Sequence, residues 1–227
     1  RLQMLSSHNL LSPAHGNPNV QTSRDIILGL FVLTQTYTSD RGAGSEFADT
    51  ASALEALDTG VIDLNSPIIV DGKETTAGSL RYVFADEDET LLAVERGEVD
   101  MQDTVTVRLN GELVQTSPGR VYFARLVRET LSEDGGSVPV SMIRYDIAYE
   151  KNALRNLVMD SFKLLGIERT ARLLDSLKDA GFELSTTTGI TIGIDDVAIP
   201  PQKRELVDAA QKQLEAIEAL FDEGFAT

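Results

Sequence analysis

The sequence contains no cysteine and only two histidines among its 227 residues. Without cysteine there is no disulfide, no thiolate nucleophile and no sulfur-ligated zinc, which indicates a reducing compartment. No segment resembles a signal peptide, and no apolar run approaches the roughly 20 residues that a membrane-spanning helix needs. The composition is therefore not that of a disulfide-rich secreted domain or a membrane-embedded helical protein.

Positive charge is also scarce. The sequence has 20 Lys and Arg residues against 36 Asp and Glu residues, which gives a net charge of −16. Binding to duplex nucleic acid or to an anionic membrane needs clustered cations, so the chain alone is a poor candidate for either. Hydrophobic residues make up 42% and charged residues 25%, which excludes wholesale disorder and indicates a globular chain of one large or two small domains.

The two ends of the sequence resemble cut ends. It begins at Arg1 in what reads as the tail of a helix, and it stops at Thr227 just past another predicted helix, so we expect a fragment of a larger protein. Residues 1–22 are rich in Ser, Asn, Pro and Gly and predict an irregular loop. Ser23 is the predicted N-cap of a helix that is apolar on every side from 26 to 33, and such a helix is buried in a larger body.

An internal repeat lies between residues 47 and 127. The residues Phe47-Ala48-Asp49 recur as Phe84-Ala85-Asp86 at an offset of 37, and Thr76-Ala77-Gly78 matches Ser117-Pro118-Gly119 at an offset of 41. About four residues therefore entered the second copy. Each copy predicts a helix (50–57 and 87–95) ended by Gly60 or Gly97, a β segment (67–70 and 105–109) and a turn at Asp71-Gly72 or Asn110-Gly111. Two copies are fewer than a solenoid needs, so we expect a small α+β lobe.

The rest of the chain is predicted to be mainly helical. An apolar stripe from 154 to 165 ends at Gly166, and a second stripe from 171 to 177 is expected to end at Gly181, which together predict a helical hairpin. Residues 119–127 are expected to form a strand followed by a helix, and residues 185–201 are β-prone.

The last predicted helix, opened by Pro200-Pro201, carries a regular apolar seam. The spacings along it are 3, 4, 3 and 4, as in a coiled coil, for Val207, Ala210, Leu214, Ile217 and Phe221. We expect the first arm of a coiled-coil hairpin. The fold class is thus α+β, mainly helical, with a duplicated lobe and a C-terminal coiled-coil arm. The expected domains are 1–44, 45–131, 140–199 and 200–227.

No catalytic constellation can be placed from the residue types. His8 and His15 do not belong to a sequence pattern of metal ligands, so we interpret them as ordinary loop histidines. The eight acids between Asp86 and Asp103, and the pair Asp195-Asp196, are better explained as solvated helix starts and caps than as cation ligands. Residues 42–46 lack the context of a phosphate-binding loop. The residues alone indicate a non-catalytic scaffold or interaction region.

Two long motifs carry a family resemblance. MLSSHNLLSPAHGNPNVQTSRDIILGLFVLT (4–34) resembles the segment that follows the catalytic metal motif in the beta-prime subunit of bacterial RNA polymerase, and STTTGITIGIDDVAIPPQK (185–203) resembles a later segment of that subunit. The elements at 119–127 and 152–182 lie between them as in the family. The duplicated unit departs from the commoner single copy, and we expect a branch that includes thermophiles and radiation-resistant bacteria.

The resemblance implies a part of the enzyme that transcribes DNA into RNA from nucleoside triphosphates. The Asp-Phe-Asp-Gly-Asp loop that holds the catalytic Mg²⁺ in the family lies upstream of this sequence, so neither catalytic residues nor a bound metal are expected here. Partners would be the beta, alpha, omega and sigma subunits, with DNA and RNA bound only by the full complex, without a membrane, in the cytoplasm at the nucleoid. The chain would form the wall and rim of the secondary channel.

Specific positions follow from the same resemblance. Arg24 matches a residue that faces incoming triphosphate, and Asn9, Ser12 and Pro13 match a loop that supports the active centre. The seam helix matches the rim arm where transcript-cleavage factors dock. The alarmone site that some members carry on the hairpin helix is not expected, because acids replace its basic and aromatic positions. The alternative is a stand-alone protein-interaction module.

Overall fold

The computed structural model describes residues 5, 9–12, 14, 18, 19, 22, 24–132, 138–191 and 193–224. Contacts divide the chain into two units, Arg1–Gly189 and Ile190–Thr227. The described part of the first unit combines helices with two three-stranded sheets, and that of the second contains a 3-10 turn and one long helix. The predicted α+β class, with helices predominating over a small strand lobe, is confirmed.

The described elements follow one another along the chain. The helices are α1 (Asp25–Thr34), α2 (Thr50–Asp58), α3 (Ala77–Arg81), α4 (Glu87–Glu95), α5 (Pro118–Ser132), α6 (Lys151–Leu165), α7 (Ile167–Thr188) and α8 (Lys203–Asp222). The strands are β1 (Glu46–Phe47), β2 (Pro67–Val70), β3 (Lys73–Thr76), β4 (Val83–Phe84), β5 (Val105–Leu109) and β6 (Glu112–Thr116). Short 3-10 turns occupy Val140–Met142 and Ile194–Asp196.

The predicted duplication is confirmed by two sheets with the same topology. β1 pairs parallel to β2, which pairs antiparallel to β3, and β4, β5 and β6 repeat that order. The helix of each copy is capped by an aspartate: Asp49 accepts the backbone N–H of Ser52 at 2.8 Å, and Asp86 accepts that of Glu89 at 2.8 Å. Each helix ends before a left-handed glycine, as expected, with φ of 70° at Gly60 and 72° at Gly97.

The four extra residues of the second copy lengthen its hairpin. Ile68 faces Thr75 in the first hairpin, and the equivalent pair in the second is Val105 with Thr116. Counted from that pair to the turn, with the pair included, the hairpin has three residue pairs in the first copy and five in the second. The change of offset from 37 to 41 is therefore two additional rungs of one hairpin.

Each copy packs tightly against its neighbour through a glycine. A Cβ atom on Gly78 of the first copy would lie 2.5 Å from the Thr104 carbonyl oxygen of the second. A Cβ atom on the equivalent Gly119 would lie 1.8 Å from the Leu33 carbonyl oxygen at the end of α1. The first copy thus contacts the second in the way that the second contacts α1, which ties the lobe to the helical body.

The main hydrophobic core lies among α1, α5, α6 and α7. Its most buried large side chains have no more than 1% of their surface exposed, and they are Leu30, Phe123, Val127, Leu131, Leu154, Leu173 and Leu177. Each copy of the lobe has a small core of its own, around Val105, Val107 and Val121 in the second and around Ile62 and Ile68 in the first. The predicted burial of Val105, Val107 and Leu109 on one face of β5 is confirmed.

The prediction that the second hairpin helix stops at Gly181 was wrong. α7 continues to Thr188 and ends at Gly189, whose φ is 61°. Gly181 instead marks the place where α7 crosses α1, because a Cβ atom there would lie 2.8 Å from the Ile26 Cα atom. On the other helix, a Cβ atom on Gly29 would lie 2.3 Å from the Gly181 carbonyl oxygen. The glycines allow two helix backbones to touch.

Two other local predictions also need correction. Residues 119–127 lie entirely within α5, with Pro118 as its first residue, where the missing N–H carries no cost. The β-prone stretch forms no strand among the described residues from 185 to 201, and its first four residues continue α7. The hydroxyls of Thr186 and Thr187 donate at 2.8 Å to the carbonyls of Phe182 and Glu183, four residues earlier, so they are satisfied within the helix.

The second unit contains α8, the predicted seam helix. It begins two residues after Pro201, at Lys203, and every residue from there to Asp222 is exposed. The exposed fraction is 56% for Val207, 58% for Ile217 and 62% for Phe221. The helix is confirmed, whereas its role as a coiled-coil arm stays a prediction.

Candidate functional site

The segment before α1 folds back on itself, so that residues 10 and 11 lie beside residues 18 and 19. Leu11 and Pro18 form an antiparallel bridge, and the backbone N–H of Asn19 donates to the Leu10 carbonyl at 2.8 Å. Leu10 is only 4% exposed and anchors the loop. The side-chain amide of Asn19 reaches the Asn9 carbonyl at 3.4 Å. Asn9 thus lies beside the closing bridge of this loop, where its position affects the loop shape.

Ser12 lies inside the same loop. Its hydroxyl accepts the backbone N–H of Ala14 at 3.3 Å, which is a local turn of the kind that Ser favours. Pro13, His8 and His15, together with the predicted cap Ser23, lie outside the described residues.

Arg24 lies immediately before α1. Its φ of 40° and ψ of −107° fall where a residue other than glycine is rarely found, and its carbonyl accepts the N–H of Leu28 at 2.9 Å to start the helix. The side chain is exposed, and Asp25 follows in the first turn. Arg24 is therefore an exposed arginine at the start of a helix, and both a guanidinium and a helix N-terminus attract phosphate.

The opposite end of α1 is fixed by hydrogen bonds that sequence reasoning missed. The Arg120 guanidinium donates through Nε to the Thr34 carbonyl at 2.8 Å, and the Thr34 hydroxyl accepts the Tyr149 N–H at 2.8 Å. Burial lowers the pKa of Arg120 from its ordinary value, yet the guanidinium sits where the helix dipole favours a cation. These contacts and the Gly29 crossing hold α1, the helix that Arg24 precedes, within the first unit.

A second polar cluster joins the lobe to the helical body. Arg128 on α5 donates twice to the Glu87 carboxylate, at 2.7 and 3.0 Å, and the Tyr145 hydroxyl donates to the same carboxylate at 3.1 Å. Burial, followed by the charge of Glu87, raises the pKa of Tyr145 to about 12. The hydrogen bonds that Arg128 donates to Glu87 raise the pKa of Arg128 as well. The cluster of Glu87, Arg128 and Tyr145, called the Glu87 clasp below, therefore links α4 to α5.

The acidic residues weighed as cation ligands have other roles. Asp86 caps α4, Asp88 pairs with Arg125 at 2.7 Å, and the Asp196 carboxylate accepts the N–H of Gly193 at 2.8 Å. The predicted capping role is thus confirmed for Asp86 and Asp196. No group of three or more His, Asp or Glu side chains suited to a metal occurs among the residues that the structure describes.

The exposed seam of α8 is the other candidate site. Leu214 and Phe221 lie on the same apolar stripe as Val207, Ala210 and Ile217, and none of the five is buried. An amphipathic helix needs a second apolar surface to cover such a stripe. Within the described part of the chain, no helix is long and apolar enough to cross a membrane.

Comparison with known proteins identifies the family. The family model "RNA polymerase Rpb1, domain 3" matches residues 9–197. The chain belongs to this family. It is 56% identical over all 227 residues to the DNA-directed RNA polymerase subunit beta' of Deinococcus radiodurans and 52% identical to that of Thermus thermophilus.

Two further relatives differ in their sequence identity to the chain. The beta' subunit of Thermus aquaticus is 51% identical over the full chain, whereas that of Thermosipho melanesiensis is 30% identical over 98% of it. The chain spans 15% of the length of the Deinococcus and Thermus relatives. The resemblance to the beta-prime subunit is confirmed, and the expected likeness to radiation-resistant and thermophilic bacteria agrees with these identities.

Proposed function

We propose that the chain is a segment of the largest subunit of a multisubunit RNA polymerase, which transcribes DNA into RNA from nucleoside triphosphates. The observation that carries the proposal is identity of 56% to a beta' subunit along the whole chain. The activity is nucleotidyl transfer by the assembled enzyme, in the cytoplasm at the nucleoid. The catalytic Mg²⁺ would be held by residues outside this segment, so the isolated chain is inactive.

Within that enzyme, the segment would form the wall and rim of the secondary channel. Its net charge of −16 fits a surface away from the DNA cleft, since template and transcript need cationic surfaces. The proposed divisions are the active-site-proximal part (1–44), the duplicated lobe (45–131), the hairpin with the following segment (140–199) and the rim arm (200–227). The lobe contacts α1, so it also supports the active-site-proximal part.

Arg24 is the proposed substrate contact. An exposed guanidinium at the start of α1 can bind a triphosphate oxygen, and hydrogen bonds hold that helix within the first unit. Asn9, Ser12 and Pro13 would support the active centre by holding the loop before α1. The hydrogen bonds at Asn9 and Ser12 support this role.

The seam of α8 is the proposed docking element. Its apolar stripe would pack on the second arm of an antiparallel hairpin, and transcript-cleavage factors would bind at the tip. The other proposed partners are the beta, alpha, omega and sigma subunits.

A chimeric enzyme tests the proposal. The matching segment of the Deinococcus radiodurans beta' subunit is replaced by this chain, and the enzyme is assembled from purified subunits. We expect the chimera to assemble and to incorporate nucleotides on a DNA template, and the isolated chain to incorporate none. A chimera that folds but does not assemble, or polymerase activity of the isolated chain, would contradict the proposal.

A further inference from the structure

A groove of about 520 Å³ runs along the first half of α6. Its floor is apolar and consists of Leu157, Met142 and Tyr149, each of which is at most 7% exposed. One wall is the segment from 141 to 149, and the other is the outward face of α6. The groove lies wholly within the first unit and is separate from Arg24, from the α8 seam and from the Glu87 clasp.

Two asparagines line the α6 wall one helical turn apart. Asn152 and Asn156 are exposed, and neither side chain has a hydrogen-bond partner among the described residues. Asparagine is a poor helix former, so Asn156 in the interior of α6 brings a local cost without a hydrogen bond in return, whereas Asn152 lies in the first turn of the helix. Their amides each offer a donor and an acceptor toward the groove, which is the pattern of a peptide group.

The spacing of the two amides matches an extended polypeptide. Four residues along a helix advance about 6 Å. Two residues of an extended strand advance about 6.6 Å, so every second peptide group of such a segment lies opposite one amide. The apolar floor between the walls suits the side chains that point inward from that segment.

The charged side chains that line the groove indicate which kind of polypeptide segment it would bind. The guanidinium of Arg144 is paired with Asp146 at 2.5 Å, whereas Glu150 and Asp160 have no ion-pair partner among the described residues. Asp160 continues the line of the two asparagines by one more turn. Two unpaired carboxylates favour a cationic occupant and disfavour nucleic acid, because phosphate would be repelled.

We propose that this groove binds an extended polypeptide segment of another protein. The backbone of that segment would pair with the amides of Asn152 and Asn156, and a Lys or Arg side chain of the segment would pair with Asp160. The partner is recognised by backbone geometry and one cation rather than by a helix. It is thus a docking surface of a different kind from α8.

A peptide selection tests the proposal. A random dodecapeptide library on phage is selected against the 227-residue chain, and the enriched peptides are measured by calorimetry. We expect peptides without Pro in the middle and with at least one Lys or Arg. The double variant Asn152→Ala/Asn156→Ala should weaken their binding about tenfold or more, because two amide pairs are lost. Asp160→Asn should weaken binding about fivefold and reduce its salt dependence.

The control variant is Lys163→Ala, which changes an exposed residue of α6 outside the groove and should leave binding unchanged. The melting temperature of the double variant should not fall, because alanine is the better helix former, so weaker binding cannot be ascribed to unfolding. Failure to enrich peptides, or enriched peptides that bind the double variant as tightly as the parent chain, overturns the proposal. Groove-dependent binding of a uridine oligonucleotide instead of peptides overturns it too.

Discussion

At the crossing of α1 and α7, packing and helix propensity predict opposite changes in stability when a glycine is replaced by alanine. A Cβ atom on Gly29 would lie 2.3 Å from a backbone oxygen, and one on Gly181 would lie 2.7 Å from the Ile26 Cγ2 atom, whereas ordinary contact begins at 3.4 Å. The helices would therefore have to separate by about 1 Å at the first site and somewhat less at the second. On a free helix surface, the change from Gly to Ala instead stabilises by about 1 kcal/mol.

We expect overpacking to outweigh propensity at both sites. Gly29→Ala should lower the free energy of unfolding by about 2–3 kcal/mol, and Gly181→Ala should lower it by about 1–2 kcal/mol. The double variant should cost less than the sum, since one separation of the helices relieves both contacts. The chain has no tryptophan, so urea unfolding is followed by far-UV circular dichroism.

The matched control is Glu183→Ala, an exposed position on the same helix, which should change stability by no more than about 0.5 kcal/mol. An increase of about 1 kcal/mol for Gly181→Ala, as on a free helix, would refute the close crossing.

Three further predictions concern the clasp and the rim. Because the pKa of folded Tyr145 is about 12 and that of an unfolded tyrosine is about 10, its contribution to stability is complete below pH 10 and is lost as the pH rises toward 12. Urea midpoints against pH should show this loss in the parent chain but less of it in Tyr145→Phe, and identical curves would count against it. A double-mutant cycle of Glu87→Gln and Arg128→Met should give a coupling of about 1 kcal/mol, whereas a coupling near zero would contradict the bidentate pair. In the chimeric polymerase, Glu218→Lys combined with Asp222→Lys should weaken cleavage-factor binding severalfold by fluorescence anisotropy, and unchanged affinity would argue against docking at α8.

The sequence predicts the local elements of the lobe well, because each depends on residues close in the chain. Asp86 caps a helix start as predicted, and the predicted turn at Asn110-Gly111 has φ of 51° and 91°, as a two-residue hairpin turn requires. The offset of 41 indicates an insertion, but only the pairing register shows that it adds rungs to one hairpin.

Prediction fails where distant residues decide the outcome. Gly181 has the residue type of a helix stop, and only the approach of α1 reveals that it is needed inside a helix. The hydrogen bond from Arg120 to the Thr34 carbonyl joins positions 86 residues apart, and no local pattern encodes it. The candidate role of Arg24 comes from a family motif, whereas its unusual backbone conformation is visible only in the structure.

The most direct test of the central claim is the apparent KM for nucleoside triphosphates of the chimeric polymerase with Arg24→Ala. Loss of a charged hydrogen bond to phosphate should raise KM by about tenfold or more, and Arg24→Lys should restore part of that loss. Arg96→Ala, an exposed arginine on the lobe, is the control and should leave KM unchanged. A KM for Arg24→Ala within about twofold of the parent chimera would contradict the claim that this segment meets the incoming substrate.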